Sequence, residues 1–460
     1  MKNKKRANAL TAEEQYDKMV NTPVSRLIAT LAIPTVISML VTSIYNMADT
    51  FFVSQLSTQA SAAVGIVFPI MSIIQACGFT LGMGAGSLVS IRLGQKRNEE
   101  ASVIASTAFF AAIFIGLLIT LFGNLFARQF LSLVGASEAV LPYASAYARY
   151  IFWGAPFMCA SFVLNNVLRS EGKAFFSMIA LTSGGLINIA LDPLLIYGLH
   201  LGISGAAIAT LVSQFISFCI LLSWFLRRKA VCQMSIKRFT LKEGVLAKVV
   251  WTGVPSLARQ GLASIATILL NTAAGQYGDA AIAGMSITTK IVMFVASIMI
   301  GIGQGFSPVS GYNYGAKRYD RVKQAYRFML TSGFCIMAAF SLVIFIFSPQ
   351  IMAAFIEDPA AREVGSIALR WQVSFIPFHP LIVGTNMLMQ STRNIKAATF
   401  LSMNRQGVYF IPAILILPRI LNLTGVEISQ FVADLLSALT AIPYALHFFR
   451  KLEKLAKSEN

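Results

Sequence analysis

The stretch Asn188-Ile-Ala-Leu-Asp192-Pro193-Leu-Leu-Ile-Tyr197 sets an amide, a carboxylate and a proline inside an apolar run that begins near Phe175. That run is long enough to cross a bilayer. A carboxylate at such depth costs roughly 2.5–3.5 kcal/mol on insertion scales and marks a functional site by default. Asn188 and Asp192 are four residues apart, so both side chains lie on one helix face. Pro193 donates no N–H and its ring strains against the Ile189 carbonyl, which frees backbone oxygen beside the polar pair. These groups suit a small cation or a proton. The competing reading is a buried polar pair that only holds helices together.

Working outward, 56% hydrophobic and 12% charged residues with a mean hydropathy of +0.69 do not describe a soluble domain. Apolar runs recur along the whole chain, so the fold class expected is an all-α polytopic membrane protein rather than a barrel of short alternating strands. Twelve spans are predicted, near 27–53, 62–86, 102–123, 144–168, 175–197, 204–226, 247–275, 281–307, 328–348, 366–390, 397–418 and 427–448. Lys and Arg gather in alternate loops. They crowd the N-terminal tail (Lys2, Lys4, Lys5, Arg6, Lys18, Arg26), the Arg92–Arg97 loop, the 227–248 stretch, the Lys317–Arg327 segment and the tail after Arg450. The positive-inside rule then puts both termini and the even-numbered loops in the cytoplasm. The net charge of +18 is thereby topological and headgroup-facing, and nucleic acid is not an expected partner. The basic N-terminus is followed by polar and acidic residues, which does not read as a cleavable signal peptide.

The chain repeats itself at a spacing of about 221 residues. Ile33-Pro34 answers Val254-Pro255, and Gly94-Gln-Lys96-Arg97 answers Gly315-Ala-Lys317-Arg318. Each of the latter follows a G-x-G-x-G (Gly82, Gly84, Gly86; Gly301, Gly303, Gly305), and Pro156-Phe157, Asn165 and Ser170 answer Pro377-Phe378, Asn386 and Ser391. The expected organisation is a tail (1–26), a six-helix lobe (27–226), a basic linker (227–246), a second lobe (247–449) and a tail (450–460). Six is even, so the halves are parallel repeats, for which the usual substrate position is the cavity between them.

Orientation lets depth be compared. Asp49 falls near the outer end of the first span with Tyr45 and Asn46 one turn earlier, Asn188 and Asp192 in the outer half of the fifth, and Tyr147 and Thr210 near the outer ends of the fourth and sixth. Two close carboxylates resist joint ionisation, so such a pair can take up a proton outside and release it inside, or bind Na⁺ if held ionised. The second half differs. Its polar residues at depth include Arg259, Gln260, Asn271, Lys290, Gln304, Asn386, Gln390, Asn404, Arg405 and Gln406, and Asp434 is its only acid well inside a span. An ion pair of Asp434 with Arg405 or Lys290 is one arrangement to test. Tyr45, Asn46, Asn165, Arg259, Gln260, Asn386 and Arg405 are candidates for a substrate cavity. The five cysteines and three histidines show no metal spacing, and no nucleotide, nucleophile-elbow or metal motif is present, so neither an enzyme nor an organic or metal cofactor is expected. Transport must then draw on an ion gradient.

The residues resemble the multidrug and toxic compound extrusion (MATE) family over nearly the whole chain. The likeness rests on Tyr45-Asn-Met-Ala-Asp49-Thr-Phe-Phe-Val53, Ala63-Val-Gly65, Leu168-Arg-Ser-Glu-Gly172, Asn188-Ile-Ala-Leu-Asp192-Pro193 and Gly205-Ala-Ala-Ile-Ala-Thr210, and it is greatest with the DinF-like side of the family and its MepA-type members. The resemblance implies an antiporter that expels cationic amphipathic drugs in exchange for H⁺ or Na⁺ by rocking two six-helix lobes. It also implies an N-lobe site at Asp49, Tyr147, Asn188, Asp192 and Thr210, with any Na⁺ at Asp49, Asn188 and Asp192. NorM-type members carry a seventh-span carboxylate, whereas this chain has only apolar and small residues around Ala263. The expected partners are small-molecule drugs and the lipid bilayer, and the expected working unit is a monomer. The alternative on the same architecture is a flippase or exporter of a lipid-linked or bulky anionic substrate, which requires Arg259, Lys290 and Arg405 to converge unpaired.

Overall fold

The computed structural model describes residues 11–459 and is helical throughout its membrane segments. The basic residues 2–6 of the N-terminal tail lie outside the described residues. The helices are α1 (Ala12–Asn21), α2 (Val24–Ser54), α3 (Thr58–Gly94), α4 (Asn98–Leu125), α5 (Ala127–Leu133), α6 (Leu141–Ser170), α7 (Ala174–Pro193) and α8 (Ile203–Leu226). They continue as α9 (Val245–Gly275), α10 (Asp279–Gly315), α11 (Tyr319–Phe355), α12 (Pro359–Phe375), α13 (His379–Ser391), α14 (Ile395–Met403), α15 (Phe410–Leu421) and α16 (Leu423–Glu459). Every predicted span falls on these helices. Ten segments are long and apolar enough to cross a membrane by length and composition. The two outside that count are α9, which carries Lys248, Arg259 and Gln260, and the tenth run, which a 3₁₀ turn at Ile376–Phe378 divides into α12 and α13.

Part of the sequence read as a tail is a folded helix. Thr11 accepts the Glu14 N–H and the Glu14 carboxylate accepts the Thr11 N–H, a reciprocal cap that starts α1 sharply. Gln15, Met19 and Val20 form its buried face.

The chain divides into two units, one of Met1–Thr22 with Ile37–Leu257 and the other of Pro23–Val36 with Ala258–Asn460. The lead-in turns of α2 and α9 thus belong with the opposite half of the sequence. The G-x-G-x-G motifs explain why. In the first unit a Cβ on Gly84 would strike the Val249 carbonyl and one on Gly253 the Thr80 carbonyl, so only hydrogen fits where α3 meets α9. In the second unit Gly301 and Gly305 lie against Val36 and Ala32 of α2, where a Cβ would approach backbone to 2.7 and 2.5 Å.

The repeat is visible in the turns. Lys96 and Lys317 both take φ 60°, and Arg97 N–H to Arg92 O matches Arg318 N–H to Asn313 O at 2.9 Å each. Gly172 (φ 77°) and Arg393 (φ 62°) close the next pair of turns, where Lys173 N–H to Leu168 O and Asn394 N–H to Met389 O measure 2.9 and 2.8 Å. These i→i+5 bonds satisfy orphan carbonyls at the helix ends.

Candidate functional site

Pro193 ends regular α-helix in the fifth span. Residues Leu194–Gly198 continue as one turn of π-helix, closed by Leu199 N–H to Leu194 O at 2.9 Å. The wider turn carries Tyr197 back across to the first span, where its hydroxyl donates to the Phe52 carbonyl at 2.8 Å. Three residues earlier on α2 stands Asp49. Higher on the same pair of helices Gly185 lets the Tyr45 ring pack against α7, since a Cβ there would sit 3.2 Å from Tyr45 Cδ1 and 2.8 Å from Val41 Cγ1. On the other side of the pair, α8 starts at Gly202 (φ 57°) and approaches the π turn through Gly205, whose Cβ would meet Leu195 backbone at 2.8 Å. A bulge, a proline and three glycines therefore bring α2, α7 and α8 together.

The five predicted N-lobe residues meet there. Tyr147 of α6 and Asp192 of α7 are fully buried, Asn188 is 1% exposed and Thr210 6%. The Tyr147 hydroxyl donates to Asp49 Oδ2 at 3.5 Å, and Asn188 Nδ2 faces Asp192 Oδ1 and Thr210 Oγ1, each at 3.5 Å. Those distances are at the outer limit of hydrogen bonding, so the cluster is gathered but slack. Asp49 Oδ1, Asn188 Oδ1 and Asp192 Oδ2 are buried and accept no hydrogen bond. Buried acceptors without donors are costly and rare. Three oxygens left in that state on two neighbouring helices are the donor set a proton or a small hard cation would satisfy.

Of the cavity candidates, Tyr45, Asn46 and Asn165 belong to the first unit and Arg259, Gln260, Asn386 and Arg405 to the second. Tyr45 is half-buried and Asn46 exposed on the face of α2 leading to Asp49. Asn165 is buried and accepts from the Ser177 hydroxyl, while at the repeat-related position Asn386 Nδ2 donates to Ala398 O (2.7 Å) and Ser402 Oγ (2.8 Å). Both amides tie the fourth and fifth helices of their half. Arg259 and Gln260 are half-buried on α9, and Lys290 is exposed on α10. Arg405 is held by Asp434, Nε to Oδ1 at 2.7 Å, so the pairing partner of that acid is Arg405 and not Lys290.

Two features escaped the sequence reading. His379 Nε2 lies 2.9 Å from Asp434 Oδ2, a pairing hidden by a separation of 55 residues. Glu171, read only as part of a motif, is fully buried and holds the linker: Val231 N–H (2.8 Å), Cys232 N–H (2.7 Å) and Lys173 Nζ (3.2 Å) all donate to its carboxylate. The signal for the first was the Gln430/Asp434 i,i+4 pair in an apolar helix, and for the second a charged residue in a tight turn flanked by basic groups.

A duplicated bundle of membrane-length helices with a polar cluster buried at bilayer depth defines a class of protein, the polytopic membrane transporters. The chain belongs to the MatE family, whose model matches residues 34–194 and 255–415, one match in each half. It is 26% identical over 431 residues to the multidrug export protein MepA of Staphylococcus aureus, covering 94% of this chain and 95% of that protein. Among solved structures it is similar to an outward-facing multidrug resistance MATE family transporter of the MOP superfamily, at TM-score 0.91 and 28% identity over 95% of this chain and 98% of that one. It is similar at TM-score 0.90 and 27% identity, over 95% of this chain and 98% of the other, to a MOP superfamily transporter from Pyrococcus furiosus. That transporter is described as having a binding pocket of reverse polarity that suggests a different function. Members of the family are secondary transporters that use ion coupling.

Proposed function

We propose that the protein is a multidrug efflux antiporter that exports cationic amphipathic drugs in exchange for H⁺ or Na⁺. The coupling cation occupies the cluster of Asp49, Tyr147, Asn188, Asp192 and Thr210. The observation that carries this reading is the set of three buried oxygens without donors, on Asp49, Asn188 and Asp192. An incoming cation satisfies them and draws α2 against α7, and its departure restores the slack 3.5 Å contacts. The two carboxylates make the cluster selective for positive charge, while Tyr147 and Thr210 supply neutral oxygens that complete a shell without adding charge. The protein works as a monomer in the bacterial inner membrane with both termini in the cytoplasm, as the alternation of basic loops supports. The flippase alternative needs Arg259, Lys290 and Arg405 free together in one cationic cavity, and the Arg405–Asp434 pair counts against it.

The test is ethidium efflux from proteoliposomes under an imposed pH or Na⁺ gradient. Asp49→Asn and Asp192→Asn are each expected to abolish gradient-driven efflux at equal expression. Wild-type rates in both variants refute the assignment. Comparing drug-driven proton release with ²²Na flux then identifies the ion.

A further inference from the structure

The second unit holds a buried ionic cluster that the coupling site does not use. Asp434 of α16 is 1% exposed and its carboxylate has four donors. Arg405 Nε (2.7 Å) and Gln430 Nε2 (2.8 Å) reach Oδ1, and His379 Nε2 (2.9 Å) and Arg405 Nη2 (3.3 Å) reach Oδ2. A carboxylate only accepts, so His379 presents Nε2–H. The partners differ in access: the Arg405 side chain is 25% exposed, against 2% for Asp434 and 3% for His379. Arg405 is therefore the more accessible of the two ionisable partners.

Arg405 sits in a π-helical turn, Asn404–Val408, closed by Tyr409 N–H to Asn404 O at 2.9 Å. Single π turns recur at functional sites because they shift register locally. Beside it Asn404 is fully buried, and neither its side-chain nitrogen nor its oxygen has a hydrogen-bond partner among the described residues. The segments that supply His379 and Asp434 also supply an aromatic wall: Phe431 contacts Trp371 and Phe375, with ring centroids 5.4 and 5.8 Å apart, and Phe375 contacts Phe378 at 5.0 Å. In the first half the position 221 residues before Arg405 is Gly184, which packs directly against Ser213 and Ser217. The guanidinium is an addition peculiar to this half.

A planar delocalised cation held by a carboxylate, one helical turn from Phe431 and its aromatic neighbours, has the chemistry of a lipophilic organic cation in its site. We propose that Asp434 is a second cation site, for cargo and not for the coupling ion, and that Arg405 is its built-in occupant. Monovalent aromatic cations bind by displacing the guanidinium as the π turn moves. This rests on the reading of the cargo as cationic.

The test uses the full-length protein in lipid nanodiscs and equilibrium binding of tetraphenylphosphonium. Arg405→Gln is expected to tighten binding by about tenfold, since it removes the competing charge. The gain is expected to vanish in Arg405→Gln/Asp434→Asn. Unchanged or weaker binding in a folded Arg405→Gln protein overturns the proposal, as does a gain that survives in the double variant. Should Arg405→Gln not fold, Arg405→Lys keeps the charge without the two-pronged contact; a smaller tightening supports the proposal and unchanged binding overturns it. Gradient-driven tetraphenylphosphonium efflux by the wild type is measured in parallel. Its absence, with the Asp434-dependent gain intact, refutes the antiporter reading and leaves the binding site standing.

Discussion

Glu171 offers the perturbation whose size can be worked out most directly. Its carboxylate is fully buried in the turn between α6 and α7, outside the membrane-spanning helices, and takes the Val231 and Cys232 amides and the Lys173 ammonium. Lys173 in turn donates to the Lys229 carbonyl at 2.6 Å, and Gln15 of α1 donates to the Glu171 carbonyl at 2.5 Å. Glu171→Ala leaves two buried amides without acceptors and one buried cation without its counter-ion. Hydrogen bonds to a charged group are worth about 1.5–3 kcal/mol each, but losses within one network overlap. Breaking a buried pair by removing one partner costs about 3–5 kcal/mol, and that range is the working figure here. It corresponds to an increase of at least about a hundredfold in the ratio of released to docked linker. Cys232 reports the change. It is 1% exposed, and burial followed by the Glu171 charge pushes its thiol well above the ordinary range, so little reactive thiolate forms. Glu171→Ala removes the charge and exposes the sulfur, and both effects act in the same direction. In a variant retaining Cys232 as its only cysteine, maleimide labelling is expected to accelerate strongly, together with tryptic cleavage at Arg227, Arg228 and Lys229. Unchanged labelling and cleavage would show that the linker is held by something other than this carboxylate.

Tyr197→Phe removes the hydroxyl that links the π turn to Phe52, and is expected to cost about 1 kcal/mol in detergent-solubilised stability and to slow gradient-driven efflux. A variant with wild-type Tm and efflux would refute a positioning role. Gly172→Ala adds a Cβ within 2.6 Å of Gln15 Nε2 at φ 77°, and is expected to undock α1 and cost about 1–2 kcal/mol, read as cleavage at Lys18 under limited proteolysis. Gly253→Val drives a branched side chain into the Thr80 carbonyl, where backbone cannot yield, and is expected to abolish recovery of folded protein by size-exclusion chromatography.

Much of this was legible before any coordinates. Apolar runs and basic loops located the helices, because a bilayer demands both. Matching motifs 221 residues apart marked the duplication, and they prove to be turn geometry: Lys96 and Lys317 share one positive φ. Depth alone grouped Asp49, Tyr147, Asn188, Asp192 and Thr210, since a polar group in an apolar helix faces protein rather than lipid. What was not legible depends on backbone register. A π turn has no propensity signature, so Tyr197 at Phe52 did not follow from spacing, and Arg405 at Asp434 was one of two pairings the residues offered. The exchange of lead-in turns was equally hidden. The G-x-G-x-G glycines marked the repeat, but nothing in them named the helix they pack against. Asn165 and Asn386 were cavity candidates by depth alone, and the bonds they make to the next helix leave no mark in the sequence.

Gly172 and Arg393 show how the two halves came to differ. Both sit at positive φ in equivalent turns, so the backbone tolerates a side chain at that position in the second half. The first half requires glycine because Gln15 and Met19 of α1 occupy the space. Acquiring a docked α1 therefore fixed a residue that the turn alone leaves free. The same logic extends to the buried acids. Asp49 and Asp192 each keep an oxygen without a donor, and under the proposed function these oxygens meet an incoming cation as they stand. Asp434 has four donors on its two oxygens, so nothing reaches it until a partner leaves, and the more accessible of its ionisable partners is Arg405. An open carboxylate pair responds to ion concentration directly. A closed one responds only to a ligand able to outcompete a tethered guanidinium. Duplication supplied two scaffolds with one set of turns, and under the proposed function their side chains answer different cations.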